Sequence, residues 1–530
     1  VNRAWWLLVS VGCGGKSGAG PGPDPAGEAD TDTDTDTDTD TDTDTDTDAD
    51  TDTDTVPPDP CAADPSLALT VSAAQGPLEN ALLLTVDASA AASVAALCVS
   101  DVDPADAHLV EGGTATHHEL HFLGLLSRTA YTCQVVATCP SLVGPAVEVH
   151  HETDAPAARL PILDIDVDPA LGASGSWMLA PWKPNVFSAT WLVVWGPDGR
   201  ARWWRELDSA LQIDVEALLD PGTTQLVWGG GDAASGTPTV VDLWEGDLYR
   251  ASLPDWGTNQ YSHDTKRLAD GRILSLQYVP NTLGNRDFLG FGIRIHDPAT
   301  GVIDFEFDSQ RYIDDGTLPP APFTNDPFHA NWVDHAETPD GPRVYVSLYA
   351  HQQILAIDGV TGDLVWQLGE DLGWSVLDEL GEPLPQGALP QGQHGLEVDG
   401  DELLIYDNGV NRLQSRAGRW RIDPVARTAT RLWSWTEQGW FEPILGDIDD
   451  LGNDRVLVTQ ATIGCCFHPT DFVEVDTVTG AVAARWTLPA DAHVGYRSEL
   501  YEGCALFSNV AECEALATRR SELTPLFDRE

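Results

Sequence analysis

The stretch Ile357-Asp358-Gly359-Val360-Thr361-Gly362-Asp363-Leu364-Val365-Trp366 decides the fold of this chain. An apolar strand end, an Asp, a Thr-Gly turn and a second strand rich in Val and Trp read as a hairpin. The phrase recurs at Ile295-His296-Asp297 with Thr300-Gly301-Val302-Ile303. It returns at Ile422-Asp423 with Thr430-Arg431-Leu432-Trp433, and at Val475-Asp476 with Thr479-Gly480-Ala481-Val482. A weaker copy runs from Trp195 through Gly199 to Trp203 and Trp204.

A second phrase alternates with the first: a polar start, a strand, a turn of the Asp-Gly type and another strand. It appears as His263 with Asp270-Gly271 and Ile273-Leu274, as His329 with Asp340-Gly341, and as His394 with Asp399-Gly400. A fourth copy, Asp447 with Gly452-Asn453 and Val456–Val458, lacks the His. Two hairpins per repeat make a four-stranded unit, and such units bury their faces only against each other in a ring. The expected fold is all-β: a propeller of about six blades over residues 156–530.

Four segments precede or form this array. Residues 1–13 hold Arg3, an apolar run and Gly12-Cys13, the layout of a lipoprotein signal with Cys13 as the lipidated residue. Residues 14–60 are Gly- and Pro-rich and then repeat Thr-Asp, a composition that cannot form a core and reads as a disordered acidic tether. Residues 61–155 carry short strand signals, Leu82–Val86 and Ala95–Val99 among them, that predict a small β-sandwich. The corner leading to Thr129-Ala130-Tyr131 resembles that of fibronectin type III domains, where a Tyr hydroxyl bonds back to the backbone. Adjacent His117-His118 and His150-His151 point to opposite faces of their strands and read as surface histidines rather than a metal cluster.

The net charge is −56, and a chain this acidic repels nucleic acid and anionic lipid. An anionic substrate needs a local set of donors to override that field. Eight cysteines besides Cys13 imply disulfides in an exported protein, with Cys98 and Cys133 placed to cross-link neighbouring strands. Cys504 and Cys513 read as a local bridge at the propeller's end, and Cys465 and Cys466 as members of separate bridges.

The three histidines His263, His329 and His394 open successive copies of the second phrase. If they start inner strands, they converge on one mouth of the channel. Three imidazoles in one pocket can ligate a metal, or can act as donors, acid–base groups and a nucleophile around an oxyanion. Asn331 and Gln393 beside them favour the second chemistry, because amides donate to anionic oxygens and are not usual transition-metal ligands.

These residues resemble the motifs of the bacterial arylsulfate sulfotransferases. Phe328-His329-Ala330-Asn331 is similar to that family's His-x-Asn motif, and Ser262-His263-Asp264 to its earlier His-Asp motif. Gln393-His394 with Tyr406-Asp407-Asn408-Gly409 resembles the Gln-His and Phe-Asp-Asn-Gly signatures, and Gly495-Tyr496-Arg497 the closing Tyr-Arg element. The resemblance implies a six-bladed propeller that moves a sulfuryl group from an aryl sulfate to a phenol, with no cofactor. It implies His394 as the nucleophile, with His263, His329 and Asn331 around the sulfate. Gln393, Tyr349, Arg412, Tyr496 and Arg497 are the expected substrate-binding residues. Two positions depart from the pattern: Tyr349 stands where the family has Arg, and Gly395 where it has Asp. Arg412 and His351 are the candidate replacements for the missing cation. The competing readings are a weakly catalytic propeller that binds a ligand or protein partner, and a His-ligated metalloprotein. The expected location is the cell envelope, with membrane contact through the lipid alone.

Overall fold

The structure is a computed structural model, and it describes most of residues 59–527. Residues 1–58 and the segments 60, 62–65, 157–158, 184–188, 208–213, 219–224, 230–236, 253–260, 322–324, 462–468, 490–495, 502–506, 508–512 and 528–530 lie outside it. So do the side chains of 214–218 and 513–516. Cys13, the Thr-Asp segment, Cys465, Cys466, Gly495 and the Cys504–Cys513 pairing therefore lie outside the described residues. No described helix is long and apolar enough to cross a membrane.

After the N-terminal sheet, the described strands form six sheets of four or five strands. The second sheet runs from Asp214–Leu218 to Gly246–Arg250, the third from Tyr261–Arg267 to Ile303–Asp308, and the fourth from Ala330–Thr338 to Leu364–Leu368. The fifth starts at His394–Asp399 and ends on Thr428–Trp435, which also pairs Ser375–Asp378 in parallel. The sixth starts at Asp447–Gly452, and its fourth strand, Val482–Thr487, pairs Asp164–Val167 from the start of the propeller. The first sheet is completed from the other end of the chain: Glu499–Tyr501 pairs Trp177–Trp182 in the place of its innermost strand. The ring is thus latched at both ends, and the fold is a β-propeller.

The two sequence phrases fall where the hairpins require them. Asp358 Oδ1 accepts the N–H groups of Val360 (3.0 Å) and Thr361 (2.9 Å), and Gly362 turns the chain at φ 72°. Asp297 with Gly301 and Asp476 with Gly480 repeat this turn between third and fourth strands. Asp423 does so with Arg427 in the left-handed position (φ 53°).

Carboxylates on the inner strands of the third to sixth sheets then hold each of these sheets to its neighbour. Asp264 accepts from Val333 N (2.6 Å), Asp334 from Val398 N (2.8 Å) and Glu397 from Asp450 N (2.8 Å). Asp447 accepts from Ser498 N (3.3 Å), next to the closing strand. Each is a bond from a backbone N–H across a boundary that apolar packing alone does not fix in register.

The N-terminal domain differs from the sequence expectation at one strand and one histidine. Leu82–Val86 and Ala95–Val99 belong to one strand, Leu82–Ser100, and not to two strands separated by a turn. Residues 88–96 are small and contain no Gly or Pro, so nothing stops the strand; a register shift between Asp87 and Ala92 lets it pass between partners. Its first part pairs Leu69–Gln75 and its second part pairs Ala130–Cys139, while Ala107–Phe122 runs along both. Disulfides join Cys98 to Cys133 and Cys61 to Cys139. Tyr131 accepts from Leu126 N (2.8 Å) and donates to Asp106, whose other oxygen takes Arg202 of the first sheet (2.5 Å). His118 is buried, with Nε2 on Ala115 O (3.0 Å), and is not the surface histidine expected. The helix Cys513–Phe527 packs Leu523 and Phe527 on Leu97, Leu109 and Val136 of this domain, so the C-terminus is anchored there.

Candidate active site

Three inner strands deliver the histidines to one place. Each begins with a register irregularity, between Tyr261 and Thr265, Ala330 and Trp332, and His394 and Leu396. Such bulges re-aim side chains at strand ends. The backbone there is left-handed at His263 (φ 21°), His329 (φ 45°) and Gly395 (φ 34°). Non-glycine residues pay on the order of 1–3 kcal/mol for such conformations and keep them where the surroundings enforce the geometry.

The rings form one continuous group. The centroids of His263 and His329 are 4.8 Å apart. Tyr349 lies 5.3 Å from His329 and 5.3 Å from His394, bridging the two. Tyr496 lies 6.1 Å from His394 on its other side, and Tyr278 lies 6.3 Å from His263. His263 and His394 are buried, and His329 is one-third exposed by its side chain.

Hydrogen bonds at Nδ1 set what each imidazole offers. His329 Nδ1 donates to Asp326 Oδ2 (2.7 Å), and its backbone N–H to Asp326 Oδ1 (2.9 Å). His394 Nδ1 meets Asn408 Oδ1 at 2.8 Å. Ser262 Oγ lies 2.9 Å from His263 Nδ1 and 3.1 Å from Ala330 O. Its single proton serves one of them, so His263 has a partner in either tautomer. Burial pushes the proton affinity of His263 well below the ordinary value, helped by the positive fields of His329, His394 and Arg497. Burial likewise carries His394 down to about 3, with His329 and Arg497 lowering it further against the Asn408 bond. Both rings are neutral near pH 7, which leaves a lone pair on one nitrogen of each.

The remaining expected site residues divide into two groups. Arg497 is buried beside the imidazoles: Nη1 donates to Asp264 Oδ1 (3.0 Å), Nη2 to Asn331 O (3.2 Å), and the guanidinium carbon sits 3.2 Å from the Trp332 ring centroid. It is a fixed cation held by carboxylate, carbonyl and aromatic face together. Tyr349 donates its hydroxyl to Pro443 O (2.9 Å), and burial raises that hydroxyl to about 12. Asn331 donates its amide to Gln393 O (2.8 Å), and Gln393 donates its own to Gln353 O (2.8 Å), so both amides tie the fourth sheet to the fifth. Arg412 is spent outside the ring group, on Gly387 O (3.0 Å), Leu389 O (3.2 Å) and Asp407 Oδ2 (2.5 Å). His351 stacks on Phe328.

Asn408 is the partner that sequence reasoning did not assign; Asp326 was a nearby carboxylate whose target nitrogen the sequence could not give. Asp326 stood three residues before His329, and Asn408 lay inside a quoted motif, but neither spacing shows which nitrogen it meets. Among the described residues, the group of three potential ligands whose atoms lie within 4.8 Å of one another is Asp59, Cys61 and Cys139, and two of these are joined as a disulfide. The imidazoles form no such group.

Fold and site together define a β-propeller protein with a cluster of three histidines at the starts of its inner strands. The sequence model of the Arylsulfotransferase (ASST) family matches residues 194–497, more than half of the chain, and the chain belongs to that family. No curated protein matches it significantly. Among solved structures it is similar to a putative 6-phosphogluconolactonase from Bacteroides uniformis, at 12% identity and TM-score 0.33, over 77% of this chain and 99% of that one. It is also similar to the β-propeller domain of Cps50 (Swd1) from Myceliophteria thermophila, at 11% identity and TM-score 0.31, over 68% and 94%. The same holds for Hsv2p from Kluyveromyces lactis, at 10% identity and TM-score 0.30, over 64% and 99%.

Proposed function

We propose that this arylsulfotransferase carries a sulfuryl group from an aryl sulfate to a phenol through a sulfohistidine at His394. The observation that carries the reading is the bond from His394 Nδ1 to Asn408, which leaves Nε2 with the lone pair in a buried, neutral ring. In the first half-reaction Nε2 attacks sulfur, the S–O bond to the aryl group breaks, and the phenolate leaves with the Nε2 proton of a doubly protonated His329, which keeps its Nδ1 proton on Asp326. In the second, the acceptor phenol returns its proton to His329 and its oxygen takes the sulfuryl group from His394. Atoms and protons balance over the two halves. Asp326 holds the His329 ring by its Nδ1 proton in both. His263, in the tautomer with the proton on Nε2, donates to a sulfate oxygen, and Arg497 supplies the positive field. Sulfuryl transfer resembles phosphoryl transfer in its loose transition state, so position and charge supply most of the catalysis.

Tyr349 in place of a guanidinium supports a second reading, in which the site binds an aryl anion with little turnover. One assay separates them. Purified protein with a chromogenic aryl sulfate should release phenol in an acceptor-dependent way with ping-pong kinetics. Binding without acceptor-dependent release would leave the second reading. We further propose export, which the two disulfides support, with Cys13 as the lipid anchor.

A further inference from the structure

We infer that Asn408 is the positioning residue of the nucleophile: it fixes His394 in the Nδ1–H tautomer while leaving the ring uncharged. The inference deepens the function proposed above and rests on it.

The orientation of the Asn408 side chain is determined by its surroundings. Its Nδ2 donates to Glu442 O (2.7 Å) and Leu445 O (2.7 Å), which accept only. Both amide protons are therefore used, and the oxygen must face His394 Nδ1 at 2.8 Å. An acceptor there requires the proton on Nδ1. The reverse orientation would set the NH2 against Nδ1 and the amide oxygen against two carbonyls.

The neighbours of Asn408 hold it still. Asp407 turns the other way, accepting from Gln391 N (2.8 Å), Gly409 N (3.0 Å), Arg416 Nε (2.7 Å) and Arg412 Nη2 (2.5 Å). Gly409 turns at φ 64°, and a Cβ there would stand 1.9 Å from Gln414 O. The Asp, the Asn and the Gly of this motif thus have separate tasks: anchor, acceptor and turn. Ser415 Oγ also reaches both Asn408 O (3.1 Å) and Glu442 O (3.2 Å), fastening the segment before the sixth sheet to the same point.

An amide suits this nucleophile better than a carboxylate would. A carboxylate at Nδ1 favours the imidazolium, which has no lone pair to attack with. It would also stabilise the cationic ring of the sulfohistidine and slow its discharge. The other groups facing His394 are Tyr349, Tyr496, His329, Arg497 and the Gly392 carbonyl, and none of them is a carboxylate.

The test is ¹⁵N NMR of the imidazoles in the full chain, with His394 assigned by the signal lost in His394→Gln. The expected result is a protonated Nδ1 and an unprotonated Nε2, unchanged between pH 5 and 8. An Nε2–H ring, or a mixture, would overturn the inference. In Asn408→Ala the His394 signals should move to a mixture containing Nε2–H. Turnover should fall roughly 10²-fold or more with KM within a few-fold, as expected when an orienting partner is lost. Unchanged tautomer and turnover in a folded Asn408→Ala would also overturn it. If that variant does not fold, the wild-type tautomer decides. The spectra read Asn408 whether or not turnover is detected, so failure of the transferase assay and failure of this inference are separate results.

Discussion

His329 and Asp326 show how one residue of the group acquires its role. The side-chain bond at 2.7 Å and the backbone bond at 2.9 Å from the same carboxylate fix both the ring and its left-handed backbone. In the proposed mechanism this carboxylate orients the acid–base nitrogen. In Asp326→Asn the ring loses its charged partner. Transfer from donors with poorly acidic phenols should drop by about 10²- to 10⁴-fold, the range of a general-acid contribution, while nitrophenyl donors drop less. Rates across a series of leaving phenols would show this as a steeper dependence on phenol acidity. An equal loss for all donors would place proton transfer elsewhere. The sequence displayed the three histidines because they open equivalent strands. It did not display the partner of His394: Asn408 lies 14 residues away across a hairpin, and only the antiparallel register of Glu402–Asp407 on His394–Asp399 brings them together.

At the scale of elements, the repeated Asp–Thr–Gly turn was the most legible feature, because its chemistry is local. Asp476 accepts from Thr479 N (2.8 Å), and Gly480 sits at φ 72° with open space where a Cβ would stand. Gly480→Ala should therefore cost about 1–2 kcal/mol through backbone conformation alone. Chemical denaturation would show it as a lower midpoint with an unchanged slope, and an unchanged midpoint would mean the turn relaxes. Two elements were not legible. Leu82–Ser100 crosses the N-terminal domain as one strand because an Ala-rich stretch has no turn residue to end it, while its periodicity fades and reads as a gap. Glu499–Tyr501 is only three residues long, too short for a pattern, and its partner Trp177–Trp182 is far away in sequence.

For the whole molecule, the ring of inter-sheet carboxylates predicts how stability changes with pH. Burial raises Asp447 from 3.8 to about 6 and Glu442 from 4.5 to about 7. Removal from water raises Glu397 from 4.5 to about 8. Folded values above unfolded ones mean that these groups favour the fold most below their unfolded values, and that this contribution is lost as pH rises through 6 to 8. The melting temperature at fixed ionic strength should fall between pH 5 and pH 9, and Glu397→Gln should flatten the upper part of that fall. A melting temperature that rises across the window would contradict the assignment.

The most direct measurement is the mass of the protein after brief exposure to an aryl sulfate without acceptor, followed by peptide mapping under alkaline conditions that preserve N-sulfonates. The account predicts a gain of one SO₃ group per chain, located on His394, discharged by added phenol and absent in His394→Gln. Acceptor-dependent turnover with no adduct, or an adduct on another residue, would contradict it.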